Sequence, residues 1–523
     1  MKKLLSFILG FTLVLTGCGT GDSGGVEEPA TSPVQSKLDE KIQEGYIESL
    51  NKGLVIPEVS NSYYKTEDTA NPISPNIFCA DPTAVEYNGR LYVYGTNDHQ
   101  QYDAVGDEGK NTYGHIKSFV ILSTDDMVNW TYHGIIDTEA IAPWILSSWA
   151  PSIVSRVEDD GLTHFYLYFS NSGCGVGVLT ATDPCGPWSD PLGRPLISSE
   201  TEGLTDCPNP FDPGVCIDEN GTGWLSFGGG VARGGTDYMP GVARIVQLGE
   251  DMTSFASDFV EIKAPYFFEA SELNYINGTY IYTYNTSWEP RLTWEIEDVS
   301  KPTACSMAYM TTKTPLVTDS WQYRGDYFYN PGESGLDYSN NHSHFHKYGG
   351  KYYMFHHNML RQANMKTTTG GFRSLGVVEL QLDESTLEIT KTMSTRQGVQ
   401  QIKNVDAKAL NEGETLFTSA GISYDVEDCL VKAAKTVEKG AWLYVKGVDF
   451  GESSEVFTAI VKGSGRAEVY LDAMGTPLTA AIEFENGEYK GVYSKLSQPV
   501  SGVHDVYIMF NDTDICLDSW QFL

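Results

Sequence analysis

Tyr87-Asn-Gly-Arg-Leu-Tyr-Val-Tyr-Gly95 reads as a tight turn followed by an alternating strand. Asn-Gly suits the two positive-φ positions of a two-residue hairpin, and aromatic and β-branched residues fit a pleated surface. Four other stretches read the same way: Thr163-His-Phe-Tyr-Leu-Tyr-Phe169, Gly221-Thr-Gly-Trp-Leu-Ser-Phe-Gly228, Ile276-Asn-Gly-Thr-Tyr-Ile-Tyr-Thr-Tyr284 and Tyr348-Gly-Gly-Lys-Tyr-Tyr-Met-Phe-His356. With Tyr92, Tyr166, Trp224, Tyr280 and Tyr353 as marks, the spacings are 74, 58, 56 and 73 residues. A unit of that length holds a four-stranded antiparallel blade, so five units predict a five-bladed β-propeller, with a hairpin-rich sandwich as the alternative. Helical periodicity is scarce, which makes the chain all-β.

The 523 residues carry 35 basic and 69 acidic side chains, a formal charge of −34. Binding to phosphate relies on dense Lys and Arg surfaces, so a nucleic-acid partner or an anionic membrane surface is excluded as the target. A neutral sugar polymer meets no such barrier. The first residues form a separate segment. Lys2 and Lys3 precede an apolar run from Leu4 to Leu15, and Leu15-Thr-Gly-Cys18 follows. That order resembles a lipoprotein signal, with residues 1–18 as the signal and Cys18 as the lipidated residue. Residues 19–60 then read as a solvated tether. The expectation is a cell-surface, extracellular lipoprotein that meets the membrane only through its anchor. The eight further cysteines, at 79, 174, 185, 207, 216, 305, 429 and 516, form neither a zinc spacing nor a dense disulfide framework.

The repeat also points to a site. Equivalent positions of the innermost strands of a propeller converge near its axis. The residue 11 or 12 before each mark is Asp81, Asp212, Glu269 and His342 in units one, three, four and five. In unit two, Trp149-Ala-Pro-Ser-Ile lies where that segment belongs. Any one of these residues alone reads as a turn or a cap; three carboxylates and an imidazole in phase predict a polar centre. Asp125-Asp126 and Asp183 read as loop residues. His344, His346, His356 and His357 surround the fifth strand without an obvious carboxylate partner for a zinc site. Glu272, three residues after Glu269, is a second candidate acid.

The motifs around these residues resemble a known family. Ala80-Asp-Pro-Thr-Ala-Val85, Trp149-Ala-Pro-Ser152, Phe211-Asp-Pro-Gly-Val215, Phe268-Glu-Ala-Ser271, Asn340-Asn-His342 and Gly371-Phe-Arg-Ser374 occur in the order seen in glycoside hydrolase family 43. The resemblance spans roughly residues 70–385. It implies a five-bladed propeller that inverts anomeric configuration. Asp81 matches the general base, Glu269 the general acid, and Asp212 the residue that orients the acid and modulates its pKa. Arg373 matches an arginine that contacts the sugar, and Trp149 lies beside the substrate cleft. His342 matches an axial histidine that in many members holds a calcium ion, directly or through water. No organic cofactor is implied.

Such a set is what the chemistry needs. Glycoside cleavage passes through an oxocarbenium-like state, so a carboxylic acid protonates the departing oxygen while a carboxylate on the opposite face activates water. An inverting pair stands roughly 6.5–9.5 Å apart to admit that water. The acid must hold its proton near neutral pH, which burial and a negative neighbour favour, whereas the base must stay ionised.

The propeller is expected over residues 61–390 and a second module over 395–523. Alternations such as Ala467-Glu-Val-Tyr-Leu-Asp472 and the closing Leu517-Asp-Ser-Trp-Gln-Phe522 suit a jelly-roll β-sandwich. This module resembles a family 6 carbohydrate-binding module. Asp518 matches an acidic position near a structural calcium, and Tyr489 an aromatic that stacks on sugar. Cys516 stands where the usual ligand asparagine is found. The resulting expectation is a hydrolase of plant cell-wall arabinoxylan that removes α-L-arabinofuranosyl side groups. The alternatives are a β-xylosidase of the same family and a non-catalytic glycan-binding lipoprotein.

Overall fold

The computed structural model describes residues 65–475 and 478–523. Cys18 and the tether lie outside the described residues. Among those residues no helix is long and apolar enough to cross a membrane.

The hairpins form where the turn residues predict. Asn88 and Gly89 lie at φ 52° and 77°, Asn277 and Gly278 at 48° and 78°, and Gly349 and Gly350 at 55° and 82°. These are the positive-φ pairs of a two-residue turn, and the residues that flank them, Tyr87 and Arg90, Ile276 and Thr279, Tyr348 and Lys351, are cross-strand partners. The hairpins assemble into antiparallel sheets in chain order. The first holds β1 (Ala80–Tyr87), β2 (Arg90–Thr96), β3 (Ser118–Thr124) and β4 (Trp130–Asp137), with helix α1 (Asp98–Val105) between β2 and β3. The second holds β5 (Trp149–Val157), β6 (Thr163–Ser170), β7 (Gly175–Ala181) and β8 (Ile197–Ser198). The third holds β9 (Gly214–Ile217), β10 (Gly223–Phe227), β11 (Arg244–Gln247) and β12 (Val260–Glu261). The fourth holds β13 (Phe267–Ile276), β14 (Thr279–Thr286), β15 (Met307–Thr312) and β16 (Gln322–Phe328). A three-stranded sheet follows, of β17 (Ser343–Tyr348), β18 (Lys351–Asn358) and β19 (Ser374–Leu380). Each of the five aromatic marks falls on the second strand of its sheet.

Four four-stranded blades and a three-stranded sheet thus make a β-propeller, where the sequence predicts five blades of four strands. The physical reason lies beside β19. The segment before β1 runs along it, with Ile73 N–H donating to Leu375 O (3.0 Å) and Cys79 N–H to Arg373 O (3.0 Å). The Asn71 side chain accepts from Val377 N–H at 2.9 Å and donates to Val377 O at 3.0 Å. Pro72 and Pro75 in that segment have no N–H, so a regular ladder cannot form there. Apolar clusters fill the gaps between neighbouring sheets. One cluster joins Phe119 with Phe165 and Phe169, a second holds Tyr168, Trp224, Phe227 and Tyr282, and a third joins Phe345 and Met354 with Ile281 and Met307. Tyr353 and Phe355 pack against Val93 and Leu122 of the first blade.

The C-terminal region is a β-sandwich whose long strands Ser454–Leu471 and Ala480–Val500 pair with each other. It is less separate than its sequence suggests. Strand Leu430–Thr436 and strand Thr415–Leu416 both pair with β4, which makes the first blade and the sandwich one sheet of 15 strands. Val128 and Ala70 enter a shared cluster with Phe417, Trp442 and Tyr444. Of the eight described cysteines five are buried and Cys174 is exposed.

Candidate active site

The inner strand of each full blade begins with a kink. Asp81, Ala150, Asp212 and Ala270 lie at φ 49°, 39°, 49° and 59°. Ladder register slips at Ala80/Thr83, Trp149/Ser152 and Glu269/Glu272. Left-handed backbone is uncommon for residues with a Cβ, costs on the order of 1–3 kcal/mol, and gathers at functional sites. The kinks correct the phase read from sequence. In blade four the residue equivalent to Asp81 and Asp212 is Ala270; Glu269, one residue earlier, is in phase with Trp149 and Phe211. A bulge adds a residue to one strand, so counting residues from a mark cannot separate adjacent positions.

The kinked strand ends surround a pocket of about 110 Å³ lined by Asp81, Trp149, Asp212, Glu269, His342 and Arg373, together with Tyr113, Phe211 and Asn340. All six site residues expected in the propeller from sequence therefore meet at one place. The pocket is far smaller than the roughly 300–1,000 Å³ of drug-sized ligand sites, a size suited to one sugar ring rather than a chain.

Asp81 is 4% exposed. Burial alone would raise its pKa, but the Arg373 guanidinium reverses the sign. Arg373 Nη1 donates to its Oδ1 at 2.8 Å, and His357 Nδ1 and His342 Nδ1 lie 3.0 and 3.6 Å from the same oxygen. Arg373 holds Asp81 well below the usual carboxylate range. His357 Nε2 sits 2.9 Å from Asn340 O, which can only accept, so that nitrogen carries the proton. The Asp81 N–H then donates to Nδ1 at 3.2 Å.

Arg373 is itself gripped by Asp98, the first residue of α1 and fully buried. Asp98 takes Nε at 2.9 Å, Nη2 at 2.8 Å and the Arg373 backbone N–H at 3.0 Å. Asn111 Nδ2 also donates to it at 2.6 Å. This fork-to-fork pairing fixes the guanidinium plane and directs Nη1 at Asp81. The Arg373 guanidinium carbon lies 4.9 Å from the centre of the Tyr113 ring, and Tyr113 O accepts from Trp149 Nε1 at 3.1 Å.

Glu269 and Asp212 go the other way. Burial, then the charges of Asp212 and Asp81, raise Glu269. Burial and then Asp81 raise Asp212. Asp212 is the better solvated of the two by protein groups, with Ala270 N–H at 2.9 Å on Oδ2 and Ser170 Oγ at 3.0 Å on Oδ1. Those donors favour its charge, so Glu269, bonded by the Asn340 side chain, keeps its proton longer. Asp212 touches the backbone next to Glu269 and so fixes where that carboxyl stands.

The remaining sequence candidates sit elsewhere. Glu272 is fully buried among the inner strands, with Ser152 Oγ at 3.2 Å and His344 Nδ1 at 3.5 Å, and it does not line the pocket. His356 bonds Ser394 Oγ at 2.8 Å inside the sheet. Asp126 caps a turn by accepting from Val128 and Asn129 N–H, and Asp183 accepts from Cys185 N–H at 2.8 Å. In the sandwich, Tyr489 is 36% exposed and donates to Asp425 at 2.7 Å, while Asp518 accepts from Ser519 Oγ at 2.8 Å. Calcium takes six to eight oxygen ligands. Asp81 Oδ1, 3.6 Å from His342 Nδ1, is already held by Arg373. Among the described residues no group of three or more His, Cys, Asp or Glu can hold a metal. The side chains do not form a calcium cage by themselves.

Sequence reasoning missed Asp98, Tyr113 and Asn340. Asn97-Asp98 reads as a helix start, and Asn97 does cap α1 by accepting from Gln100 N–H at 3.2 Å. That local role conceals the partnership with Arg373, 275 residues away.

The pocket and the propeller agree with comparisons to known proteins. The family model for Glycosyl hydrolases family 43 matches residues 69–384, and that for Carbohydrate binding module (family 6) matches residues 412–523. An arabinoxylan arabinofuranohydrolase of Bacillus subtilis (strain 168) is 32% identical over 493 residues, covering 88% of this chain and 94% of that protein. One from Paenibacillus polymyxa is 29% identical over 486 residues, covering 88% and 75%. Among solved structures, a glycoside hydrolase family 43 arabinoxylan arabinofuranohydrolase from Bacillus subtilis, in complex with cellotetraose, superposes with a TM-score of 0.79 at 30% identity, covering 88% of this chain and 99% of that one. A matched family model over more than half the chain, carried on a propeller with carboxylates converging at its centre, leads to one conclusion: this chain belongs to glycosyl hydrolases family 43 and carries a family 6 carbohydrate binding module at its C-terminal end.

Proposed function

We propose that this protein removes α-L-arabinofuranosyl side groups from arabinoxylan, with inversion. The observation that carries the reading is the opposite poise of two carboxylates in one small pocket: the Arg373 guanidinium at 2.8 Å keeps Asp81 ionised, while burial and negative neighbours keep Glu269 protonated. Asp81 is then the general base that activates water, and Glu269 the general acid that protonates the departing oxygen. Asp212 orients Glu269 and raises its pKa. Arg373 and Trp149 contact the sugar, with Arg373 also holding the base. The two arabinoxylan arabinofuranohydrolases similar to this chain support the choice of substrate.

The ring is read as five blades, with β17–β19 as the fifth, supported by the apolar cores it shares with the first and fourth blades. The domain division is 61–390 for the propeller and 395–523 for the sandwich, with a lipid on Cys18 holding the enzyme at the cell surface. A calcium ion beside His342 belongs to this reading only with water as most of its ligands, and no step depends on it.

The test is arabinose and xylose release from arabinoxylan and from 4-nitrophenyl glycosides by the parent, Glu269→Ala and Asp81→Ala. Free arabinose from the parent is expected, and each variant is expected to lose about 10²–10⁴-fold on the polymer. The 4-nitrophenolate leaves without much help from an acid. Glu269→Ala is therefore expected to lose far less on the aryl glycoside, whereas Asp81→Ala loses equally on both. A xylosidase/arabinosidase of Bacteroides ovatus, 26% identical over 348 residues, makes xylose the second sugar to assay. Xylose without arabinose moves the specificity to a β-xylosidase, and binding without release of either sugar makes the protein a glycan binder.

A further inference from the structure

The Glu269 carboxyl is bonded by the Asn340 side chain. An amide has a donor end and an acceptor end, and an acid feels the difference. With Nδ2 against one carboxyl oxygen, the proton stays on the other oxygen and is free to pass to the departing group. Oδ1 in that place would accept the proton and divert it. The two ends are nearly equal in shape, so only hydrogen-bond partners choose between them.

Ser339 supplies the partner that chooses. Its hydroxyl is shared between Asn340 Oδ1 at 3.2 Å and Asn340 O at 3.1 Å. That donation occupies the acceptor end of the amide and leaves Nδ2 for Glu269. Ser339 does not line the pocket. Residues 337–342 belong to no strand or helix, yet side chains from other segments fasten them. Asn330 Nδ2 donates to Ser339 O at 2.8 Å and to Cys305 O at 3.3 Å. Asn341 Nδ2 donates to Cys305 O at 3.2 Å and to Tyr329 O at 3.3 Å. Both asparagines are buried. Cys305, which offers its carbonyl to both, lies at φ 48° and donates its own N–H to Ser287 O at 3.0 Å. The same segment reaches the base, because Asn340 O accepts from His357 Nε2 and His357 Nδ1 lies 3.0 Å from Asp81 Oδ1.

We propose that Ser339 is a positioning residue for the acid: its hydroxyl holds the Asn340 amide with Nδ2 toward Glu269, so that the carboxyl proton stays on the oxygen that faces the departing group. This inference rests on the function proposed above and adds to it a residue that acts through Asn340. The braced segment gives the hydroxyl a fixed origin, which a free loop would not.

The experiment compares arabinoxylan, whose leaving group needs the acid, with 4-nitrophenyl α-L-arabinofuranoside, whose leaving group needs it little. The full-length parent is run beside Ser339→Ala, Ser339→Thr, Asn340→Ala and the double variant Ser339→Ala/Asn340→Ala. Ser339→Ala is expected to lose about tenfold in kcat on arabinoxylan with KM little changed, and less than about twofold on the aryl arabinoside. Ser339→Thr keeps the hydroxyl and is expected to behave like the parent. Once Asn340 is alanine, removing the Ser339 hydroxyl is expected to cost nothing more, since the two act as one unit. The titration midpoint of Glu269 gives a readout without turnover, by 13C NMR of protein labelled at its glutamate carboxyls and assigned with Glu269→Gln. An N–H donor favours the charged carboxyl, so the midpoint is expected to rise in Ser339→Ala while Asp212, Asp81 and Arg373, the charged groups around Glu269, stay in place. Equal losses on both substrates, a further loss in the double variant, or an unmoved midpoint overturns the positioning role. A parent that cleaves neither substrate overturns the proposed function instead, and the midpoint then still decides whether Ser339 acts on Glu269.

Discussion

At the scale of single residues, the site works by giving chemically similar groups different neighbours. Asp81 and Glu269 are both enclosed, yet one faces a guanidinium and two imidazoles while the other faces two carboxylates. Activity requires ionised Asp81 and protonated Glu269 together. The acid limb of kcat/KM reports the base, whose pKa is held below the usual carboxylate range, so activity should persist as pH falls through the ordinary carboxylate range. The alkaline limb reports the acid, whose pKa is raised, so it should lie above that range. A profile on arabinoxylan, whose leaving group needs the acid, that collapses on both sides of the ordinary carboxylate value would contradict the assignment. Asp98 acts through Arg373 and touches no substrate. In Asp98→Asn one of the two acceptors becomes a donor that faces Arg373, and the bidentate grip fails. Removing that negative charge alone would lower the pKa of Asp81. Loss of the fixed contact at 2.8 Å outweighs it, because Arg373 is the strongest of the groups that keep Asp81 ionised. The expected outcome is an acid limb displaced upward by at least about one pH unit, roughly 1.4 kcal/mol, with the alkaline limb little changed. An unmoved acid limb would show that Asp98 is only structural.

At the scale of elements, the inner strands must come close enough to share a pocket, and one residue shows how close. Gly214 opens β9 in the position filled by Thr83, Ser152 and Glu272 in the other full blades. A Cβ there would stand 2.3 Å from Glu272 Cα and 2.7 Å from its N. Those atoms are backbone and cannot swing aside, so only glycine lets the third and fourth blades meet at this depth. Gly214→Ala is expected to lower stability by about 1–3 kcal/mol, the usual cost of overpacking a filled interior. It should also reduce kcat more than KM, because Asp212 lies two residues before Gly214 and Glu269 three before Glu272. Thermal unfolding and steady-state kinetics on the same preparation test both parts, and a variant as stable as the parent would mean the blades can separate cheaply.

At the scale of the whole molecule, propeller and sandwich share one sheet. The join depends on Gly134 of β4, at φ 106°, where a Cβ would stand 2.1 Å from Cys429 O. Beside it, Asn129 and Lys446 exchange two hydrogen bonds of 2.9 Å between the Asn129 side chain and the Lys446 backbone. Tyr132 and Tyr424 meet edge to face at 4.9 Å. Calorimetry is expected to show one cooperative transition, because unfolding either part exposes apolar surface of the other. Asn129→Ala leaves the Lys446 N–H without its partner, while Lys446 O keeps Gln401 Nε2 at 3.0 Å, and is expected to cost about 1 kcal/mol. Two well-separated transitions in the parent would mean that the shared sheet carries little energy.

The sequence by itself determined whatever repeats locally. Asn-Gly and Gly-Gly turns set the hairpins, five aromatic marks on second strands gave the period, and the motifs around Asp81, Trp149, Asp212, Glu269, His342 and Arg373 indicated which strand ends carry the pocket. These features are legible because turn chemistry and strand alternation act over a few residues. Only the tertiary structure decided what depends on distance across the chain. A one-residue bulge put Ala270, not Glu269, in phase with Asp212. Two prolines before β1 kept the fifth sheet at three strands. Asp98, which locally is only the start of a helix, became the anchor of an arginine 275 residues away. Glu269 and Asp81 differ in protonation for the same reason: a carboxylate takes its pKa from the charges and hydrogen bonds folded around it, and chain proximity does not specify those.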